Sequence, residues 1–276
     1  MSFNRNLLLG FSRILQCALM PLGATRRDRA RAVLAADLVP DITVSLAGGK
    51  SLRFHCPNEL TCWRAQTFFD KEPETLRWID GFAEGAVLWD IGANVGLYSL
   101  YAAARGTKVW AFEPSAANYA CLNRNQALNG LQVHALCLAL SDTTKVGSLQ
   151  LSGPEIGAAL HQLTLEQAGS VDDLHQSVLS VRPDDLVEML DVPPPDHIKI
   201  DVDGLEFSIL RGAAGLLRQP SLRSILVELD QSDTDAYQQA VGLLESSGFR
   251  LAEKARAPMN DSPANASIYN HVFVRS

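Results

Sequence analysis

The sequence predicts an α/β fold, with a doubly wound, mostly parallel sheet covered by helices on both faces. From residue 86 onward, short apolar runs alternate regularly with segments of helical periodicity. The apolar runs are nearly continuous, which is typical of strands buried on both faces of a parallel sheet. A chain of 276 residues with 47% hydrophobic side chains can bury a full core of this kind.

Smaller elements are predicted before that alternation begins. Residues 38–56 alternate apolar and polar side chains around the turn AGGK, which predicts a β-hairpin. Helical pieces follow, the second opened by Pro73. We therefore expect an N-terminal helical and hairpin annex over residues 1–80 and a main domain over residues 81–276.

An amphipathic helix is predicted at the N-terminus, where apolar residues recur at helical spacing at positions 7, 8, 11, 14, 15 and 19. Arg13 and Gln16 interrupt the apolar run, which is shorter than the ~20 residues that a membrane span requires. We expect this helix to pack on the domain or on a second copy in a homodimer. Peripheral contact with a membrane is the alternative.

The main domain is expected to follow a strand–helix order. Residues 145–182 break the rhythm with short strand-like pieces such as GSLQL and SVLSV. The other predicted elements, in chain order, are the strand AVLWDIG, a helix over 95–105, the strand KVWAFEP, a helix over 115–129, the strand QVHALCLALS, the strand HIKIDV, a helix near 205–218, the strand RSILVELD, a helix near 234–247, and the closing strands FRLAEKA and SIYNHVFVR.

Charge and cysteine usage exclude some classes of function. The formal net charge of −7 argues against nucleic acid as the main partner, because proteins that bind phosphate backbones usually carry a basic excess. The five cysteines are odd in number and contain no CxxC pair, so we predict no metal site and no disulfide framework. Reduced thiols are typical of a cytoplasmic protein.

The stretch VLWDIGANVGLYSL, residues 87–100, carries the first chemical signal. A glycine-containing loop between a strand and a helix usually binds a nucleotide cofactor. Asp90, two residues before Gly92, would repel a pyrophosphate and attract a cation. S-adenosyl-L-methionine, which has an ammonium, a sulfonium and no phosphate, therefore fits better than a dinucleotide. The alternative is that Asp90 only caps the turn.

The second signal is Glu113, which ends the strand VWAFEP and lies 21 residues after Gly92. An acid at that distance terminates the neighbouring strand and can accept hydrogen bonds from both ribose hydroxyls of an adenosyl ligand. This arrangement serves NAD equally well, so Glu113 indicates adenosine and not the whole cofactor.

Six motifs together resemble the FkbM-type family of S-adenosylmethionine-dependent methyltransferases. In chain order they are WDIGANVGLYSLYAAARG, VWAFEPSAANYACLNRNQALNG, LALSD, RPDDL, DHIKIDVDGLEFSILRGAAGLL and SILVEL. The resemblance runs from about residue 72 to the C-terminus. It implies a Rossmann-like class I methyltransferase fold with a seven-stranded sheet whose last strand is antiparallel. It also implies methyl transfer, usually to oxygen, on small-molecule, glycan or polyketide acceptors.

The resemblance implies three groups of cofactor-binding residues. The loop after the first strand would surround the methionine part, the end of the second strand would hold the ribose, and the LALSD segment would approach the adenine. The residues are Asp90, Gly92, Ala93, Asn94 and Gly96, then Glu113, Pro114 and Asn118, then Ser141 and Asp142. The alternative for the last two is an ordinary strand-ending turn.

The strand HIKIDVDG places Lys199, Asp201 and Asp203 at alternate positions near its carboxyl end. We expect Asp201 to orient or deprotonate the methyl acceptor, with Lys199 as the second catalytic candidate. A salt bridge that only stabilises the strand is the alternative. The resemblance departs at Asp203, where the family usually has Glu. Without a firm third ligand, we predict no metal at these acids.

Two other functions stay open. A NAD-dependent oxidoreductase would need a loop that tolerates phosphate, and a non-catalytic module would bind the cofactor or a partner without chemistry. The segment 145–182 and the hairpin are expected to form the walls of the acceptor pocket, where variation sets substrate choice. No residue identifies the acceptor.

Overall fold

The structure, a computed structural model, describes residues 5–159, 161–165, 174–256 and 266–276. Its contacts divide the chain into two compact units, residues 1–40 and residues 41–276. The described part of the first unit consists of the helices α1 (Arg5–Ala18) and α2 (Ala24–Leu38). The predicted amphipathic helix is therefore confirmed as α1. None of the helices in the described ranges is both long and apolar enough to cross a membrane.

The second unit begins with the predicted hairpin. Its strands β1 (Asp41–Ser45) and β2 (Ser51–His55) pair in antiparallel register. Three short helices follow: α3 (Glu59–Gln66), α4 (Phe68–Lys71) and α5 (Pro73–Asp80). The hairpin and these helices belong to the same compact unit as the sheet that follows. A domain boundary between residues 80 and 81 remains a prediction.

The rest of the second unit alternates strands with helices, as predicted. The remaining strands are β3 (Val87–Ile91), β4 (Lys108–Phe112), β5 (Val133–Leu136), β6 (Ala139–Leu140), β7 (Lys145–Gln150), β8 (Gln162–Thr164), β9 (His175–Val181), β10 (His197–Ile200), β11 (Ser224–Asp230), β12 (Phe249–Ala255) and β13 (Ile268–Arg275). The remaining helices are α6 (Leu97–Ala104), α7 (Ala116–Asn129), α8 (Pro183–Leu190), α9 (Glu206–Gly212) and α10 (Thr234–Ser246).

Seven strands form the central sheet, in the order β12-β13-β11-β10-β3-β4-β5. The strands β5, β4, β3, β10 and β11 pair in parallel, and β13 pairs antiparallel with both β11 and β12. This topology confirms the doubly wound sheet and the antiparallel last strand. It also brings the carboxyl ends of β3, β4, β10 and β11 to one edge, where ligands of such folds bind.

Both faces of the central sheet are buried. Leu88 packs with Leu100 of α6 and Leu122 of α7 on one face. The next residue, Trp89, packs with Leu210 of α9 on the other face. Successive residues of one strand point to opposite faces, so the apolar residues of β3 fill both cores, and the buried Asp90 is the exception in this strand.

One predicted strand, QVHALCLALS, is wrong as a single element. It splits into β5, which belongs to the central sheet, and β6, which belongs to a four-stranded sheet of order β6-β9-β7-β8. The pairing of β4 with β5 ends at Phe112 and Leu136, because the chain after β4 turns into α7. Ala139 and Leu140 instead pair with Ser180 and Val181 of β9. The second sheet accounts for the interrupted rhythm of residues 145–182.

Candidate active site

A cavity of about 320 Å³ lies at the carboxyl ends of β3, β4, β10 and β11. Its volume is within the range of small-molecule pockets. Half of the twelve residues predicted for the site line it, namely Gly92, Asn94, Glu113, Pro114, Asn118 and Asp201. The structure therefore brings the ends of the first, second and fourth predicted strands together around one space.

Glu113 is fixed in the cavity by the backbone around it. Its Oε2 accepts a hydrogen bond from the Asn94 amide at 2.7 Å, and its Oε1 accepts one from the Ser115 amide at 2.8 Å. The residue is only 4% exposed. Burial raises the pKa of Glu113 to about 7, against the opposing effect of the N–H groups of Ser115 and Asn94. Each oxygen retains a lone pair that can accept a ligand hydroxyl.

Gly92 and Gly96 have left-handed backbone conformations, with φ of 83° and 87°. A Cβ at Gly92 would overlap the carbonyl oxygen of Asp201, so this glycine lets the ends of β3 and β10 approach each other. A Cβ at Gly96 would lie 2.9 Å from Cγ of Leu122, so this glycine lets α6 begin against α7. Packing within the protein explains both glycines, although Gly92 also lines the cavity.

Asp90 and Ala93 are buried, and neither is among the described residues that line the cavity. Oδ2 of Asp90 accepts a hydrogen bond from Oγ of Ser99 at 2.5 Å, and Oδ1 accepts none from any described residue. Burial raises the pKa of Asp90, although the positive charge of Lys199 and the Ser99 hydrogen bond oppose the rise. Asp90 therefore has a cation of its own within the protein, and direct contact with a cofactor remains a prediction.

Lys199 and Asp201 form an ion pair, with 2.5 Å between Nζ and Oδ2. The strand β10 ends at Ile200, so Asp201 leaves the strand and reaches the cavity, whereas Lys199 is 1% exposed. Burial alone would raise the pKa of Asp201, but the ammonium groups of Lys199 and Lys71 outweigh burial and lower it to about 2. The ion pair that the sequence left as an alternative is thus present, and it lies at the cavity.

Sequence reasoning missed a second ion pair beside this one. Lys71, which lines the cavity, donates to Oε1 of Glu72 at 2.6 Å, and Glu72 also accepts from Thr75 Oγ1 at 3.1 Å. Burial lowers the pKa of Lys199, but the carboxylates of Asp201 and Glu72 outweigh burial and raise it. The two pairs therefore act as one cluster of alternating charge. The local signal is the charged run DKEPE, which contains Pro73. This run does not indicate that Lys71 and Glu72 interact with Lys199 and Asp201.

Glu228 is the other functional candidate that sequence reasoning missed. In the pairing of β10 with β11, Ile200 lies opposite Val227, so Asp201 and Glu228 follow at neighbouring positions. Glu228 also lines the cavity. Burial, reinforced by the charges of Asp201 and Glu72, raises its pKa well above the ordinary value. An acid between the apolar residues Val227 and Leu229 of the strand SILVELD was the available signal.

Asn94 and Asn118 hold a covering segment, residues 156–158. The Asn118 side chain accepts from the Gly157 amide at 2.7 Å and donates to the Ala158 carbonyl at 3.1 Å, which also accepts from Asn94 at 3.0 Å. Arg64 donates to the Gly157 carbonyl at 2.8 Å. Ala158 lines the cavity, so this segment forms one of its walls.

Ser141 and Asp142 are not in the described lining of the cavity, whereas Leu138 and Leu140 are. Ser141 shares a 2.7 Å hydrogen bond with Ser180, and the Asp142 carboxylate pairs with Arg211. Their predicted contact with adenine remains a prediction. Within the described ranges, no group of three His, Cys, Asp or Glu side chains is arranged to hold a metal ion.

A doubly wound sheet with a cavity at its carboxyl edge, and an acid after the second strand of the domain, defines an enzyme class that binds an adenosine-containing cofactor. Residues 90–251 match the family model described as the methyltransferase FkbM domain. The chain belongs to this family of methyltransferases, which confirms the resemblance seen in the sequence. Membership argues against the NAD-dependent oxidoreductase.

Two curated relatives are similar over most of their own length. Hexuronic acid methyltransferase AglP of Haloferax volcanii is 26% identical over 187 residues, which are 67% of this chain and 73% of the relative. Methyltransferase 1 of Beauveria bassiana is 27% identical over 188 residues, 62% of this chain and 75% of the relative. Both names agree with the family.

Solved structures resemble the chain at low identity. The methyltransferase FkbM of Methylobacillus flagellatus has a TM-score of 0.48 at 14% identity, covering 70% of this chain and 44% of that one. Aeropyrum pernix fibrillarin, solved with bound S-adenosyl-L-methionine, has a TM-score of 0.49 at 10% identity, covering 85% and 82%. The family assignment rests on the sequence match.

The cofactor of this methyltransferase is S-adenosyl-L-methionine, as predicted. The donor set of the cavity fits it: Glu113 can accept from the ribose hydroxyls, and the apolar side chains of Phe112, Leu138 and Leu140 can pack against the adenine. When bound, the cofactor supplies an electrophilic methyl group on a positively charged sulfur.

Proposed function

We propose that this enzyme methylates a hydroxyl oxygen on a small-molecule or glycan acceptor. The observation that carries the proposal is that one cavity contains two different carboxylate sites. We call the part around Glu113 the donor end, and the part around Asp201 and Glu228 the acceptor end. The name of the relative AglP, a hexuronic acid methyltransferase, supports a sugar acceptor.

At the acceptor end, Asp201 is suited to orient the acceptor. Because its pKa is lowered to about 2, with lysine charges outweighing burial, Asp201 is ionised at neutral pH and can accept a hydrogen bond from a hydroxyl. The same low pKa makes it a weak base. Lys199 fixes the carboxylate through the ion pair and acts as a positioning residue.

Glu228 is the better candidate for the group that removes the proton. The acceptor hydroxyl must lose its proton as its oxygen forms the new bond to carbon and the bond from carbon to sulfur breaks. In its ionised form Glu228 is a stronger base than Asp201, because burial and the neighbouring acids raise its pKa. We therefore assign orientation to Asp201, just after β10, and proton acceptance to Glu228, on the adjacent strand β11.

The first experiment measures S-adenosylhomocysteine formation with a panel of acceptors: a hexuronic acid glycoside, its neutral hexose counterpart and a simple alcohol. The methylated product is then treated with mild base. A methyl ether survives this treatment, whereas a methyl ester on the uronic carboxylate is hydrolysed. We expect a base-stable product from at least one hydroxylated acceptor.

Two outcomes would contradict the proposal. A base-labile product would show methylation of a carboxylate. Calorimetric binding of the cofactor without turnover on any acceptor would favour the alternative, a cofactor-binding module that lacks catalysis. A cytoplasmic location, expected from the cysteine content, stays a prediction.

A further inference from the structure

We propose that the first unit, residues 1–40, attaches the enzyme to the surface of an anionic membrane. In this proposal α1 inserts its apolar face into the bilayer interface, and the arginines of α2 bind lipid headgroups. The attachment concerns the membrane surface and needs no spanning segment. It is independent of the acceptor and of the reaction.

The first observation is an exposed apolar face on α1. Phe11, Ile14 and Leu15 are 60%, 66% and 40% exposed, and the spacing of three and four residues places them on one side of the helix. Met20, just after the helix, is 65% exposed. Soluble proteins rarely expose contiguous apolar side chains of this size unless a partner or a membrane covers them.

The second observation is a reversal of charge along the chain. Residues 1–40 contain six arginines and two aspartates, a formal charge of +4. The whole chain carries −7, so residues 41–276 carry −11. Four of the arginines, Arg26, Arg27, Arg29 and Arg31, lie in α2. A basic amphipathic segment attached to an acidic domain is typical of a membrane-surface element.

The third observation is that the second helix has no core of its own. None of the 15 residues of α2 is buried. Isolated helices of this length are marginal in water, because nucleation costs more than a few hydrogen bonds return. A bilayer interface would bury the apolar side chains of α1, and anionic headgroups would neutralise the arginines of α2.

Charge favours lipid over a second copy of the chain as the partner. Two copies of a segment with charge +4 repel each other, whereas an anionic leaflet attracts each arginine and strengthens binding about fivefold per residue near the surface. The domain with charge −11 is itself repelled by such a leaflet. The first unit is therefore the part of the chain that an anionic surface would select.

The test is co-sedimentation of the full chain with vesicles. One set contains phosphatidylcholine alone, and the other contains about 30 mol% phosphatidylglycerol. We expect binding to the anionic vesicles that is at least tenfold stronger, and that weakens when salt is raised from about 0.05 to 0.5 M. Equal partitioning onto both sets, or onto neither, would overturn the proposal.

Matched variants separate the two halves of the proposal. Phe11→Asp should weaken vesicle binding roughly tenfold to a hundredfold, as expected for loss of one buried aromatic side chain. Gln16→Asp, which adds the same charge on the polar side of α1, should have a much smaller effect. Arg26→Gln with Arg29→Gln should weaken binding about 25-fold. Arg218→Gln with Arg250→Gln, exposed in the second unit, should not change it.

Two further measurements keep the outcomes distinct. Binding of S-adenosylhomocysteine should be equal in all variants, which shows that the second unit is folded in each. Sedimentation velocity reports self-association: if Phe11→Asp converts a dimer to a monomer while vesicles leave the wild-type protein in solution, the apolar face is a contact between copies and the membrane proposal is wrong.

Discussion

At the donor end of the cavity a single carboxylate, Glu113, is held by two backbone N–H groups, whereas at the acceptor end Asp201 belongs to a cluster of side-chain ion pairs. The difference shows in the pKa values. Burial raises the pKa of Glu113 to about 7, but lysine charges overcome burial at Asp201 and lower its pKa to about 2. Backbone hydrogen bonds fix the position of the carboxylate at the donor end, and ion pairs maintain a negative charge on the carboxylate at the acceptor end.

This contrast determines how each end responds to substitution. Removing Glu113 deletes one hydrogen-bonding group and leaves two backbone amides that water can satisfy. Removing a member of the acceptor cluster leaves an excess of the opposite charge buried, which is costly in a low-dielectric interior. We expect large effects on turnover and stability at the acceptor end, and smaller effects on affinity at the donor end.

The largest expected effect is on turnover in Asp201→Asn. The neutral amide accepts a weaker hydrogen bond from the acceptor hydroxyl than the carboxylate does and no longer pairs with Lys199, so the acceptor is misplaced and kcat should fall about 10²-fold or more, while S-adenosylhomocysteine affinity stays within several-fold. Steady-state kinetics and calorimetry measure the two quantities. Glu228→Gln should also lower kcat, and the exposed Asp235→Asn should not. Near wild-type turnover in Asp201→Asn would remove Asp201 from the chemistry and leave it a structural role.

Next in size is the loss of stability in Lys199→Met. The substitution leaves the carboxylates of Asp201 and Glu72 beside Asp90 without their shared ammonium group. We expect the free energy of unfolding to fall by about 3–5 kcal/mol in urea titrations. Lys108→Met, at an exposed position on β4, should change it by less than about 0.5 kcal/mol. A similar small change in both variants would show that the cluster does not stabilise the fold.

At the donor end, Glu113→Ala should weaken binding of S-adenosyl-L-methionine about 10- to 100-fold. This corresponds to the roughly 1.5–3 kcal/mol of hydrogen bonds to a charged group. Calorimetry measures the affinity, and Glu245→Ala, exposed on α10, is the control with the same change in charge. An unchanged dissociation constant in Glu113→Ala would exclude Glu113 from the cofactor site.

The smallest expected effect is a pH dependence of cofactor binding. The predicted hydrogen bonds from the ribose hydroxyls require the ionised form of Glu113, and burial raises the pKa of this residue to about 7. Affinity for S-adenosylhomocysteine should therefore be constant above about pH 8, where Glu113 is ionised, and fall several-fold as pH decreases from about 8 to 6. In Glu113→Gln, which does not titrate, the affinity should be lower and independent of pH. A wild-type affinity that rises on acidification would contradict the proposed role of ionised Glu113 in cofactor binding.

The sequence predicted the donor end better than the acceptor end. Glu113 and Asp201 could be placed at the cavity because strand ends of a parallel sheet meet at one edge. Lys71 and Glu72 could not, because their electrostatic interaction with Lys199 and Asp201 joins segments that are distant in the chain, and no local pattern encodes that pairing. Only the acid at Glu228 gave a usable signal, since an unexplained charge in a buried strand requires a partner or a role.

Local patterns also left some details open for physical reasons. The missing Cβ of Gly92 makes room for the Asp201 carbonyl, which the local sequence does not reveal, and the predicted contact of Gly92 with the cofactor stays a prediction. The strand over residues 132–141 was predicted as one element because apolar spacing does not reveal where the neighbouring strand β4 ends. In both cases the deciding contact comes from an element distant in sequence.

The wall formed by residues 156–158 has a consequence for the release of the spent cofactor. The same side chains, Asn94 and Asn118, lie at the donor end and hold this wall by hydrogen bonds. Outward movement of the wall breaks those bonds, so opening the cavity on that side and loosening the donor end are a single event. We expect S-adenosylhomocysteine to leave slowly and to be a potent product inhibitor, and Asn118→Ala to relieve that inhibition.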